Sequence, residues 1–420
     1  MQITQPLMGL AGLVLLAWLL GPRREAPGWR LLAAGIGMQF VLALLLLKVP
    51  AFQSALGSIN RLVQDVVDAT QAGVRFVFGY LGGGTQPFEL SNVGSTFILA
   101  IQAMPLILVM SALSALLFHW RVLPVIVRGF AWMLRRLMRV DGPLGLGTAA
   151  NVFVGMVEAP LLVRPHLRTM SRADLFALMV AGMATIAGTV MALYASVLNP
   201  VLPGALGHLL TASLISAPAA ILIARIMQPP SLAAGEHPVT VADDAPGDDS
   251  PRSAMDAIAR GTVDGLRLLA HVVAMLLVLV ALVTLANQLL GWLPEVGGAR
   301  LSLERMLGWL MAPLAWMIGI PWAEAQAAGS LLGIKTVLNE LLAYLQLAGE
   351  GGAGLSGRSR LILTYALSGF ANLGSLGIML GGLGAMVPER RAEIVALGMR
   401  SVAAGTLASL CTGAVVAVLA

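Results

Sequence analysis

Runs of about 20 apolar residues recur along the whole length of this 420-residue chain, and each is long enough to cross a bilayer as a helix. That repetition restricts the fold more than any single motif. Only 11% of the residues are charged and 58% are hydrophobic, whereas a soluble domain carries roughly 25% charged residues. The chain is therefore expected to be an all-α integral membrane protein. Eight spans are expected, near 6–21, 31–49, 92–118, 173–198, 203–227, 262–292, 359–387 and 391–419. Length alone would suggest two or three soluble domains, but a membrane bundle reads better as one unit with internal repeats.

The net charge of +5 comes almost entirely from arginine, since Lys48 and Lys335 are the only lysines. The arginines sit in short loops between apolar runs rather than on one soluble face, so they argue for topology and against a nucleic-acid partner. The opening stretch "MQITQPLMGLAGLVLLAWLLGPRREA" has its arginines after the apolar run, which is not the order of a signal peptide. By the positive-inside rule, Arg23 and Arg24 are cytoplasmic and the N-terminus is outside. Counting onward, the inside segments 22–30, 119–172, 228–261 and 388–391 carry most of the arginines. A single cysteine, Cys411, excludes an intrachain disulfide. The five histidines show no metal-ligand spacing and are expected to be structural. His271 lies deepest and reads as a packing histidine.

Residues 121–139, "RVLPVIVRGFAWMLRRLMR", mix arginine with large apolar groups, the pattern of a helix lying in the membrane interface. Residues 52–80 suggest a second surface segment, and the polar, acidic, proline-containing 228–254 a flexible linker. Two apolar segments, 144–164 and 322–347, are interrupted by glycine and polar residues. Full crossings there would invert the downstream arginine pattern, so both read as re-entrant hairpins, whose irregular backbone must be buried in protein or line a wet cavity.

Each hairpin follows an amphipathic stretch and precedes two spans, and the first of those spans carries related octets, "GMATIAGT" (182–189) and "GFANLGSL" (369–376). The expected topology places the two units in opposite orientations, an inverted repeat of the kind found in many secondary transporters. The resulting organisation is an N-terminal scaffold and outer surface segment (1–120), a first repeat (121–227), a cytoplasmic linker (228–261), a scaffold span (262–300) and a second repeat (301–420).

Asn151, Glu158, Glu340 and Asn372 stand out as polar positions in this apolar setting. A carboxylate at the bilayer centre costs at least roughly 2.5–3.5 kcal/mol on insertion scales. Two of them in matching places of two repeats point to a substrate site near the midplane. The competing reading is that each caps a hairpin helix or pairs with an arginine. Thr185, Asn372 and Ser375 lie close after Gly182 and Gly369, where a helix can open. Asp174, Asp264, Arg267 and Arg400 fall near span ends, where they can snorkel or cap. Lys335 either pairs with Glu340 or faces water in the outer hairpin.

The blocks "NVFVGMVEAPLLVRP", "MATIAGTVMALYAS", "LNELLAY" and "YALSGFANLGSLGIMLGGLGAMVPERR" resemble, in order and spacing, the concentrative nucleoside transporter family. The resemblance runs over most of residues 90–420. It implies eight spans with two re-entrant hairpins, a homotrimer in the bacterial inner membrane, and nucleoside uptake by symport with sodium as coupling ion. No cofactor is implied. Carried over by position, ribose contacts fall on Glu340, Asn372 and Ser375, with Phe370 lining the site. Sodium ligands fall on the Asn151 side chain, the carbonyls of Val154 and Ile186, and the Thr185 hydroxyl. The family's first hairpin usually reads Gly-Gln-Thr-Glu, with the Gln and Thr serving the nucleobase. Here the stretch is Gly155-Met156-Val157-Glu158, while Val190 keeps an apolar contact. The resemblance therefore implies retained ribose recognition with altered base preference. Proton coupling through Glu158 or Glu340, or a substrate other than the common pyrimidine nucleosides, are the alternatives. A membrane-embedded enzyme would use the same carboxylates as acid and base, but no metal cluster, phosphate loop or soluble catalytic domain accompanies them. A sealed midplane site argues against a pore, and the short linker offers no signalling domain.

Overall fold

The computed structural model describes residues 3–21, 27–89, 97–230 and 251–420. Arg23 and Arg24, and most of the expected linker, lie outside the described residues. Within them the chain is helical, with only an isolated bridge between Val296 and Ala299 in extended pairing.

Helices α1 (Thr4–Leu20) and α2 (Trp29–Lys48) come first, followed by the long surface helix α3 (Pro50–Phe78). Only Thr70 and Val74 of α3 are buried, one turn apart on the same face. The third expected span is α4 (Leu99–Gln102) and α5 (Leu106–His119), interrupted at Pro105. Helix α6 (Val122–Met138) is the interfacial helix that its sequence suggested. It buries Val127, Ala131, Leu134 and Met138, a single stripe at helical spacing.

The first hairpin is α7 (Gly142–Asn151), a tip loop, and the short helices α8 (Glu158–Leu161) and α9 (Arg164–Leu167). The next span breaks into α10 (Arg172–Ala184) and α11 (Gly188–Leu198), and α12 (Ala205–Met227) completes the unit. Helix α13 (Ala254–Leu290) then begins eight residues ahead of the expected 262. The reason is local. Ser253 caps it by accepting from Asp256 N at 3.1 Å, and Asp256 pairs with Arg260 one turn on.

The second unit repeats the order. Helix α14 (Leu303–Met317) meets α15 (Trp322–Val337) at a 117° bend. Then come α16 (Glu340–Ala348), α17 (Glu350–Ala353), the broken span α18 (Gly357–Ala366) and α19 (Leu373–Met386), and the plain span α20 (Arg391–Leu419). Six helical stretches among the described residues are long and apolar enough to cross a membrane. The shorter α1 and the two-piece α18–α19 bring the spans to eight. The bent α14–α15 pair is an interfacial helix followed by the first arm of the second hairpin. Three crossings separate the hairpins (α10–α11, α12, α13), so they enter from opposite sides.

The layering follows from burial. The apolar windows of α10–α11, α12 and the last span are 89%, 83% and 78% buried within the protein, against 6% for α13. The repeats thus form a packed centre, with α13 and α5 on its flank. Gly261 and Gly265 let α13 approach α5 closely: a Cβ on Gly265 would lie 2.9 Å from Ser111 Cβ.

Candidate functional site

Both hairpin tips and both broken spans open onto one cavity of about 130 Å³. Met156, Val157 and Glu158 from the first hairpin, Val190 from α11, Glu340 from the second hairpin, and Phe370, Asn372 and Ser375 from the second break all line it. The eight positions singled out as substrate contacts are therefore brought together.

Local sequence explains why each is held there. The α18–α19 break spans residues 367–372, and Asn372 caps α19 by accepting from Ser375 N at 2.7 Å. This leaves the Asn372 amide group free to donate to Glu340 Oε2 at 2.8 Å. Glu340 opens α16, which Asn339 caps by accepting from Leu342 N at 2.9 Å. The other Glu340 oxygen accepts from the Tyr194 hydroxyl at 2.5 Å. Glu340 is 4% exposed, so its carboxylate is tolerable only because these partners and the N-terminal end of α16 satisfy it. The carboxylate, an amide and the Ser375 hydroxyl together form an acceptor–donor array suited to the vicinal hydroxyls of a sugar. Met156, Val157, Val190, Leu268 and Met275 add an apolar wall, with Thr189 and His271 also lining the cavity.

A second cluster sits behind the first hairpin. The two breaks pack back to back: Gly369, at φ 135°, is so close that a Cβ there would lie 2.8 Å from Ala184 O. At the end of α10 the Thr185 hydroxyl stands 2.9 Å from Ala181 O and 3.3 Å from Asn151 O. The Asn151 amide group donates to Gly147 O at 3.0 Å, while its Oδ1 is buried with no hydrogen-bond partner. Gly188 N donates to Phe153 O at 2.9 Å, which fixes the hairpin loop against the break. Ile186 is 3.3 Å from Ser213 Oγ through both its N and its O, and Val154 follows Asn151 by one turn. The cluster is rich in oxygens and contains an unsatisfied amide oxygen, the kind of group that suits a hard monovalent cation.

Several residues of the site were not singled out in the sequence. Tyr194 carries no signal, because an aromatic in an apolar run reads as core. Asn339 could have been found as an N-cap before an apolar helix. His271 is corrected: it is exposed and lines the cavity instead of packing in the core. Lys335 does not face water. It is 1% exposed, and its Nζ donates to Ala366 O at 3.2 Å and Ser409 Oγ at 2.7 Å. Asp174 caps with Ser171 and pairs with Arg225 at 2.6 Å. Arg400 donates to Gln228 and Met227 O and lies over the Phe176 ring.

Comparison with known proteins finds relatives over nearly all of the chain. The family model described as "Na+ dependent nucleoside transporter C-terminus" matches residues 208–417, its N-terminal counterpart residues 8–81, and "Nucleoside recognition" residues 100–201. The chain is 35% identical to nucleoside permease NupC of Helicobacter pylori, covering 96% of this chain and 94% of that protein. It is 32% identical to human solute carrier family 28 member 3, covering 99% of this chain and 60% of that longer protein. Among solved structures it resembles CNTnw in an inward-facing substrate-bound state, with TM-score 0.87, 35% identity, and 100% of this chain and 98% of that one covered. A CNTnw variant in an outward-facing state matches at 0.86, with 34% identity over 100% of this chain and 98% of that one. With its packed hairpins, broken spans and matches that cover nearly all of its residues, the chain is a multi-pass membrane transporter belonging to the concentrative nucleoside transporter family.

Proposed function

We propose that this transporter takes up nucleosides by symport with sodium across a bacterial inner membrane, as a homotrimer. The observation that carries the coupling is the Asn151 Oδ1, buried without a partner on a residue whose backbone O lies 3.3 Å from the Thr185 hydroxyl at the opened end of α10. Sodium bound by Asn151 Oδ1, Thr185 Oγ1 and the carbonyls of Val154 and Ile186 would satisfy that oxygen. It would also hold the first hairpin loop against the break, so that ion binding shapes the adjacent cavity. In the cavity, Glu340, Asn372 and Ser375 hold the ribose, Phe370 and Val190 flank the ligand, and Glu158 faces it from the opposed tip.

Met156 and Val157 present apolar groups to the nucleobase. With no hydrogen-bonding side chain at these two positions, the first hairpin tip discriminates weakly between bases, so this chain accepts a broader or different set of nucleosides than a strict pyrimidine carrier. Mechanically, residues 121–227 and 301–420 form the moving unit, and residues 1–120 and 262–300 the scaffold. Alternating access is movement of the first against the second in an elevator-like or rocking manner.

The coupling is tested by nucleoside uptake into vesicles with sodium or choline outside at fixed pH. Asn151→Ala removes the orphaned oxygen and is expected to raise the sodium concentration needed for half-maximal uptake at least about tenfold, equivalent to ~1.4 kcal/mol. Uptake in the wild type that is indifferent to sodium but follows a pH gradient would replace sodium by protons. Competition of labelled uridine and adenosine uptake by each common nucleoside tests the base preference, and strict pyrimidine selectivity contradicts it.

A further inference from the structure

The two repeats place the same three kinds of group at the same point of their folds. In the first, the hairpin arm α7 brings Asn151 to the end of α10, with the Thr185 hydroxyl 3.3 Å from Asn151 O. The following plain span, α12, contributes Ser213, 3.3 Å from Ile186 O. In the second, the last turn of hairpin arm α15 brings Lys335 to the end of α18, where Nζ donates to Ala366 O at 3.2 Å. The following plain span, α20, contributes Ser409, whose Oγ accepts from Nζ at 2.7 Å. An arm residue, a helix break and a serine of the next span meet in each case.

The clusters differ in charge. The first holds no charged side chain and leaves Asn151 Oδ1 unsatisfied. The second holds the buried Lys335 amino group, already donating to a carbonyl and a hydroxyl. Those are also the groups that ligate sodium, because an ammonium and a hard cation both need oxygen partners. The C-terminal end of a helix favours positive charge, and the ends of α10 and α18 each offer one at their cluster.

We infer that Lys335 is a tethered cation filling, in the second repeat, the place that a free sodium ion takes in the first, so that each protomer binds one sodium and not two. The inference rests on the sodium reading above. A tethered charge cannot leave. It ties α15, α18 and α20 together throughout the transport cycle, whereas the first cluster loosens and tightens with its ion.

The test counts radiolabelled sodium bound per protomer of purified protein, and follows thermal stability over the same sodium series with choline as replacement. Lys335→Ala is expected to bind one more ion than the wild type. Its stability, lowered in choline, is expected to recover as sodium fills the extra place. Lys335→Asn, which gives this arm the amide of the first repeat, should behave likewise, and Lys335→Arg should bind the wild-type number. Equal counts in the wild type, Lys335→Ala and Lys335→Asn overturn the inference. If neither neutral variant folds, the wild-type count decides: one ion supports it and two overturn it. A wild type that binds none overturns the coupling reading and the one-ion count together, whereas a wild type that binds one, with no gain in either neutral variant, overturns the inference alone.

Discussion

Glu340 carries the strictest demand of any residue in the site. Both of its oxygens face donors, Tyr194 Oη at 2.5 Å and Asn372 Nδ2 at 2.8 Å. Glu340→Gln replaces one acceptor by an amide donor and sets donor against donor. Hydrogen bonds to charged groups contribute roughly 1.5–3 kcal/mol, so uptake should fall about ten- to a hundredfold at limiting nucleoside, measured as initial rate, with the protein still folded. Gly369 is demanding for a backbone reason. At φ 135° and with Ala184 O 2.8 Å from any added Cβ, Gly369→Ala should destabilise by at least ~2 kcal/mol, seen as a lowered melting temperature. Glu158, Glu340 and Asn372 were legible in the sequence because a polar group in an apolar run is conspicuous. Tyr194 and His271 were not. Their roles depend on which face of a helix meets the cavity, and that is set by packing between helices distant in the chain.

The hairpins and breaks are the elements that make a site here, and the sequence disclosed most of them. Both octets marked a broken span, since glycine followed by polar residues opens a helix where α10 ends at Ala184 and α19 starts at Leu373. What it could not give was how far each break extends: three residues (185–187) in the first repeat and six (367–372) in the second. No proline lies in either break to mark its edge. The contact between α13 and α5 was also hidden, because Gly261 and Gly265 in a long apolar helix look like ordinary small residues. Their spacing matters only once Ser111 and Ala115 are known to lie 2.7–2.9 Å from their missing Cβ atoms. Gly265→Leu should therefore detach α13 and lower the yield and melting temperature of the assembled protein. Gly377→Ala, on α19 with open space around it, should leave both unchanged or slightly improved.

For the whole molecule, the two repeats must act as one body if a single cavity is to be carried between two sides. Arg390, at the turn into α20, reaches the first repeat and donates to Leu167 O and Met170 O, each at 2.7 Å, while pairing with Glu393. Its side chain is 14% exposed, so Arg390→Ala should lower the melting temperature and slow transport together. Arg168, paired with Glu389 but 70% exposed, should be nearly neutral when replaced, as surface ion pairs contribute about 0–1 kcal/mol. As proposed above, a sodium ion at the first break shapes a nucleoside site made of both hairpins and both breaks. The most direct test is the initial rate of nucleoside uptake into vesicles, wild type beside Glu340→Gln, with an inward sodium gradient imposed or collapsed at constant pH. Uptake that depends on the gradient in the wild type and is nearly abolished in Glu340→Gln is the predicted result. Wild-type uptake of equal rate with and without the gradient would contradict it.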